Sequence, residues 1–295
     1  MGAQVLVIGE ALIDIVEGPG GVSEFVGGSP ANVAVGLARQ GVRATLLTRI
    51  GRDDQGVRIA EHVAGSGVGI ATASWTDAAT STARARLQTD GSAEYDFAID
   101  WSIPEPEIDA DAVHSGSIGL FLGPGGDVAL DALERAAHER RLVTVDPNIR
   151  PALVGDRDAA LDRFGRAAAA ADLLKLSDED AAWLYPDRLP EEVLPEIAAR
   201  GPRIVIMTRG GEGAMGYGPG GLMEVPAWPV HVTDTIGAGD AYMASLITSA
   251  LEDAELFEAE AALARAMRRA AVMAGVTVSR AGANPPTRSQ IDALL

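Results

Sequence analysis

Short apolar runs alternate with helical stretches along most of this chain, and that alternation restricts its fold more than any other feature. Val5–Ile8, Ala44–Thr48, Ala112–Ser117, Leu142–Asp146, Leu173–Leu176 and Arg203–Met207 each read as a strand. Runs of this kind belong in a sheet covered on both faces. Helical patterns separate them: Pro30 to Gly41, about Asp54 to Ala64, about 126–140 and near 157–171. Pro30 suits a first helical turn, and Gly41 suits a helix stop. A long Ala-rich helix from about Leu256 to Thr277 and a short one at 287–294 complete the set. Strands alternating with helices predict an α/β fold: a doubly wound, mostly parallel sheet with helices on both faces.

One stretch breaks the rhythm. Residues 71–103 alternate small and polar residues with Leu87, Tyr95 and Phe97 around Asp90-Gly91, which is a hairpin pattern. With residues near 12–27 this stretch reads as a small β lid on a single α/β domain spanning 1–295. That length suffices for one large domain with an appendage, and neither an internal repeat nor a low-complexity linker divides it.

Composition removes whole classes of function. The formal net charge of −18 argues against nucleic acid, whose phosphates need clustered positive charge, and disfavours anionic membrane surfaces. There is no cysteine, which excludes disulfides, thiolate catalysis and Cys-based metal sites. The apolar run Val5–Ile8 follows Met1 without a basic region and is soon interrupted by Glu10 and Asp14, so it is neither a signal peptide nor a membrane span. A cytoplasmic protein is the expectation. Lys175 is the only lysine and lies between Leu174 and Leu176. A Walker-type P-loop needs Gly-Lys before Ser or Thr, so that route to nucleotide binding is closed. Cationic help to a phosphoryl group is expected from arginine or a metal.

The chemistry concentrates at residues 234–240, Asp-Thr-Ile-Gly-Ala-Gly-Asp, with an apolar helical pattern following from about Asp240 to Leu251. The glycines let backbone amides approach a ligand, and the helix points unpaired N–H groups and the positive end of its dipole at the same place. Asp240 at such an anion site would repel a resting phosphate. It makes sense as a base that takes a proton from an attacking hydroxyl, and a phosphate cradle with a base points to a kinase.

Other polar clusters sit at predicted strand ends, where doubly wound sheets bind ligands. They are Asp14, Gly27-Gly28-Ser29-Pro30-Ala31-Asn32, Asp146-Pro147-Asn148-Ile149-Arg150 and Thr208-Arg209-Gly210-Gly211-Glu212-Gly213. Singly each also reads as a turn, a capped helix or a solvated loop; together they are what a ligand site needs. His62, His114, His138 and His231 show no metal spacing; no G-x-S-x-G elbow occurs, and Gly9-Glu10-Ala11 after the first strand lacks the G-x-G-x-x-G fingerprint.

Taken together these segments resemble the ribokinase-like (PfkB) carbohydrate kinases over nearly the full length. Residues 27–32 with Gly41 and Gly51 look like the family's N-terminal signature, and 234–240 like its C-terminal one. Gly9 to Asp14, Asp146 to Arg150 and Gly282-Ala283-Asn284-Pro285 look most like its fructokinase branch. The resemblance implies an ATP-dependent sugar kinase acting on a primary hydroxyl, fructose foremost, with no nucleic acid or membrane partner. Asp240 would be the base, the amides of Gly237, Ala238 and Gly239 the anion hole, and Arg150 a neighbour of the transferred phosphoryl group. Asp14, Gly28 and Asn32 would hold sugar hydroxyls, while Thr208, Gly210 and Gly213 would line the nucleotide site. Mg²⁺ would travel with ATP and meet Asp180 through water; Asp234 would lie near a monovalent cation such as K⁺. A homodimer joined through the lid is the expected assembly. Alternatives within the fold are a ribose, nucleoside or 2-keto-3-deoxygluconate kinase; outside catalysis, a sugar-sensing protein. The chain departs from the family at Ser177-Asp178-Glu179-Asp180, where Asn-x-x-Glu is common. It also departs in the lid at Tyr95 to Trp101, where many fructokinases carry an aromatic-Arg pair, and at Ala271, near where a nucleotide-side Asn is common.

Overall fold

The computed structural model describes residues 2–18, 21–87 and 93–295. The Asp90-Gly91 turn of the predicted hairpin lies outside them. The first part of the chain runs β1 (Gln4–Ile8), β2 (Leu12–Gly18), β3 (Gly21–Gly27), α1 (Ser29–Arg39), β4 (Arg43–Leu47), β5 (Ile50–Gly51) and α2 (Asp54–Ala64). Short strands β6 (Gly69–Ile70) and β7 (Trp75–Thr76) precede β8 (Thr82–Leu87) and β9 (Ala93–Ala98). The middle holds β10 (Ala112–Gly116), α3 (Ser117–Phe121), α4 (Gly125–His138), β11 (Leu142–Asp146), α5 (Pro151–Val154) and α6 (Arg157–Ala170). Then come β12 (Leu173–Ser177), α7 (Asp178–Leu184), α8 (Pro190–Ala198), β13 (Ile204–Thr208), β14 (Ala214–Gly218) and β15 (Gly221–Val225). Helices α9 (Ala238–Glu252), α10 (Glu260–Val278) and α11 (Arg288–Asp292) close the chain.

Nine strands form the main sheet in the order β15-β14-β13-β12-β11-β10-β1-β4-β6. From β6 to β13 every pairing is parallel, and β14 and β15 add an antiparallel edge. Alternation along each strand sends side chains to two separate cores. Val5 and Val7 of β1 join α1, α2, α9 and α10 on one face. Leu6 and Ile8 join α3, α4, α6, α7 and α8 on the other. This is the doubly wound α/β arrangement that the alternation predicts. Helix α10 starts at Glu260, later than the apolar pattern from Leu256 indicates. Leu256 is buried in the core, but from a turn that precedes the helix.

The winding fixes where a ligand can sit. From β1 the chain moves outward to β4 and β6, then returns to β10 and proceeds the other way to β13. The carboxyl ends of β1 and β10 therefore flank a switch point, and the crevice there is where such sheets bind ligands. A second sheet, β3-β2-β8-β9, stands at this end. Ile13 and Ile15 of β2 turn into the core, which leaves Asp14 on the opposite face, in register with Ala83 and Phe97.

Candidate active site

Helix α9 opens from the turn 234–237. Gly237, its N-cap, has φ +77°, and a Cβ there would lie 2.7 Å from the Ala283 Cβ. Only glycine meets both demands at low cost. Asp234 braces the turn: Oδ1 accepts from the Ile236 amide (3.0 Å) and Oδ2 from the Gly282 amide (2.8 Å). Those backbone donors, Ile236 first, hold the Asp234 carboxyl below its ordinary value. The first amides of a 15-residue helix are thereby presented as an anion site.

Asp240, the third residue of α9, is only 7% exposed. Ser29 Oγ donates to its Oδ1 at 2.6 Å, and Asn32 Nδ2 donates to its Oδ2 at 2.8 Å. Burial pushes the carboxyl up; the Ser29 and Asn32 donors, then the charges of Lys175 and Arg150, oppose it. Both donors come from the start of α1, so two glycine-rich turns more than 200 residues apart meet on one carboxylate. Gly28, just before α1, has φ +111°, and a Cβ would lie 2.4 Å from the Glu10 carbonyl. A side chain at 28 would push α1 away from the crevice.

Strand β2 of the second sheet contributes Asp14. Its Oδ2 fills the space that a Gly27 side chain would need, 2.0 Å from where that Cβ would stand. Burial raises the Asp14 pKa, and the charge of Arg150 opposes the rise. Arg150 is exposed, and its Nη1 donates to Asn148 Oδ1 at 2.7 Å. Its positive charge opposes the rise that burial gives the Glu10, Asp14 and Asp240 carboxyls. Glu10 is pushed up to about 7 by burial, against hydrogen bonds from Ser117 and the Gly119 amide. The structure therefore brings together Asp14, Gly28, Asn32, Arg150, Asp240 and the turn 237–239. Thr208, Gly210 and Gly213 lie to one side, beyond β12. Thr208 ends β13 in register with Ser177, Gly210 is exposed and Gly213 half-buried.

The model of the pfkB family of carbohydrate kinases matches residues 3–290. The chain belongs to that family. A fructokinase of Rhizobium leguminosarum bv. trifolii is 32% identical over 259 residues, covering 83% of this chain and 79% of that protein. Fructokinase from Vibrio cholerae O395, solved with fructose, ADP and calcium ion bound, superposes with a TM-score of 0.86. It is 25% identical and covers 99% of each chain. The aminoimidazole riboside kinase of Salmonella enterica, complexed with aminoimidazole riboside and an ATP analogue, gives a TM-score of 0.82 at 25% identity. There the coverage is 98% of this chain and 99% of that one. The protein is a sugar phosphotransferase of the pfkB kind.

Within this pfkB kinase, three residues stand differently from what their sequence context indicates. Asp180 is buried, with Oδ1 accepting from the Ile149 amide (2.7 Å) and Oδ2 from the Ser177 amide (2.9 Å). Ser177 Oγ accepts from the Asp180 amide in return, which makes a capping box for α7. Ser29 looks like a helix cap in the sequence, yet its hydroxyl serves Asp240. Lys175, the third, lies against the start of α9, with Nζ 3.3 Å from where a Cβ of Gly239 would stand. Leu174 and Leu176 face the α4–α8 side, so alternation turns Lys175 toward α9. Its Nζ pairs with Asp146 Oδ2 at 2.9 Å, and the two side chains are 4% and 2% exposed. Asp146, pushed up to about 7 by burial despite Lys175, leaves Oδ1 without a partner. His114 lies on the same face of the sheet, with Nδ1 3.0 Å from Thr144 Oγ1. Burial lowers its pKa to about 3, so the imidazole stays neutral.

Among the described residues no helix is long and apolar enough to cross a membrane.

Proposed function

We propose that this kinase transfers the γ-phosphate of ATP to a primary hydroxyl of fructose, with Asp240 as general base. The observation that carries the reading is the buried Asp240 carboxylate at the amino end of α9, held by Ser29 and Asn32 of the opposite turn. The hydroxyl proton passes to Asp240 as the sugar oxygen attacks the γ-phosphorus in line. The bond to the β–γ bridging oxygen breaks, and ADP leaves with the electron pair. The amides of Gly237, Ala238 and Gly239 face the charge that spreads over the phosphoryl oxygens. Arg150 adds positive charge at the mouth of the crevice. Asp14, Gly28 and Asn32 orient the sugar, and lid closure keeps water from taking the phosphoryl group. Thr208, Gly210 and Gly213 border the nucleotide.

Magnesium binds with few protein ligands and several waters when it accompanies a triphosphate. Both Asp180 oxygens are engaged by backbone amides, and no described cluster of three acid or histidine side chains could hold a metal. These residues fit an ion that arrives on ATP and meets Asp180 through water. When bound it would neutralise phosphate charge. A potassium ion beside Asp234 belongs to the same reading, supported by a carboxylate that its backbone donors keep ionised.

Fructose as the acceptor is supported by the fructokinases among the relatives. The riboside kinase neighbour keeps a nucleoside as the second reading. ADP release measured with fructose, ribose, 2-keto-3-deoxygluconate and purine nucleosides decides between them. Fructose is expected to give the highest kcat/KM. A higher value for a nucleoside would transfer the assignment, and sugar binding without any ADP release would make the protein a sensor.

A further inference from the structure

Helix α1 meets the start of α9 at its amino end, through Ser29 and Asn32. Its carboxyl end reaches the same turn by a longer route. Arg39, the last residue of α1, donates from Nη1 to Asn284 Oδ1 and to the Pro285 carbonyl, each at 2.5 Å. Arg280, just past α10, donates to the Asn284 carbonyl at 3.3 Å. The Asn284 amide closes a tight turn on the Gly282 carbonyl at 2.8 Å. That turn braces the anion site. The Gly282 amide donates to Asp234, and Ala283 packs so closely on Gly237 that a Cβ there would lie 2.9 Å from the Ala283 Cα.

Stability alone gives a poor account of Arg39. Most arginines of this acidic chain pair with a carboxylate. Among the described residues Arg39 and Arg280 meet only neutral acceptors. Burial first, then the charge of Arg280, lower the Arg39 pKa. A cation suits the carboxyl end of a helix, but that end asks for no particular acceptor. Two guanidiniums kept on carbonyl oxygens forgo the stronger bond to a carboxylate. What they secure is the position of residues 282–285.

We propose that Arg39 is a positioning residue for phosphoryl transfer, holding 284–285 to α1 so that Ala283 sets the amides of Gly237, Ala238 and Gly239. The inference rests on the kinase reading and deepens it. One helix then fixes the base through Asn32 and the anion hole through Arg39.

The test compares wild type with Arg39→Met, Arg39→Lys and Asn284→Ala in ADP release, and in calorimetric affinity for ADP–aluminium fluoride with magnesium and fructose. Arg39→Met is expected to fold, since it relieves the repulsion from Arg280 and Gln40 Nε2 still holds the Pro286 carbonyl at 2.9 Å. Its kcat should fall about 10²-fold, the scale of a misplaced reacting group, with KM for fructose changed less than about threefold. Affinity for the aluminium fluoride complex should fall by the same factor, while affinity for ADP alone holds. Both Arg39 bonds leave from one nitrogen, so a lysine ammonium can make them in kind. Arg39→Lys should therefore turn over about tenfold faster than Arg39→Met. Asn284→Ala removes one acceptor and leaves the Pro285 carbonyl, so it should lose kcat in the same direction by a smaller factor. Wild-type kcat in Arg39→Met or in Asn284→Ala, a lysine variant no faster than the methionine one, or a loss confined to KM would overturn the proposal. Recovery of Arg39→Met by raised potassium would also overturn it, by assigning Arg39 to an ion beside Asp234 instead of to the amides. Failure of the kinase reading shows separately, as absence of sugar-dependent ADP release by wild type.

Discussion

Asp240 is buried and held by two donors, so Asp240→Asn preserves the shape of the site while removing the base. Turnover should fall by about 10²–10⁴, with fructose and ATP binding nearly unchanged by calorimetry. Because burial raises the Asp240 pKa, and the base must be ionised, kcat/KM should decline as pH falls through a midpoint above 3.8, the ordinary value. Ser29 stabilises the ionised form, so Ser29→Ala should move that acid limb to still higher pH in a pH–rate profile. Glu10 makes a different pH prediction. Its folded-state pKa of about 7 exceeds the ordinary 4.5, so its contribution to stability is complete below 4.5 and is lost as pH rises through about 7. Glutamine keeps an acceptor for the Gly119 amide without the charge. Glu10→Gln should therefore be more stable than wild type at pH 8 by about 1–3 kcal/mol, and nearly equal to it at pH 4, in denaturant titrations.

At the scale of elements, the two glycine turns make contrasting tests. Gly237 combines φ +77° with contact against Ala283, whereas Gly210 has φ +50° and open space around it. Gly237→Ala should cost about 1–3 kcal/mol and lower kcat, because α9 can no longer start where its amides meet the phosphate. Gly210→Ala should cost about 1–2 kcal/mol, measured in the same way. Much of this was legible beforehand. The turn at 234–240 announces itself because glycines precede an apolar helix, and the strand-helix alternation dictates the doubly wound sheet. What escaped depends on direction rather than identity. Lys175 reads as a lysine among leucines until β12 is set beside β11 and its side chain is seen to share a face with Asp146. Ser29 reads as a cap, since nothing local reveals a carboxylate 211 positions away. The antiparallel edge β14–β15 went unread although Gly218-Pro219-Gly220-Gly221 marks its turn.

At the scale of the whole molecule, the second sheet ends in the edge strand β3, where Val22 and Phe25 are 63% and 56% exposed. A bare strand edge with apolar side chains is a template for pairing, and the proposed homodimer would join there. Light scattering should give twice the 30.5 kDa chain mass, and Val22→Lys with Phe25→Lys should return it to monomer. The pairing of Asn32 with Asp240 across 208 residues has a consequence for biosynthesis. At ordinary elongation rates roughly 10–40 s separate the emergence of these two residues from the ribosome. On the proposed mechanism a growing chain lacks its base throughout that interval and cannot spend ATP. Phosphoryl transfer would then begin only when the end of the chain returns to its beginning, and a copy truncated before Asp240 would spend no nucleotide.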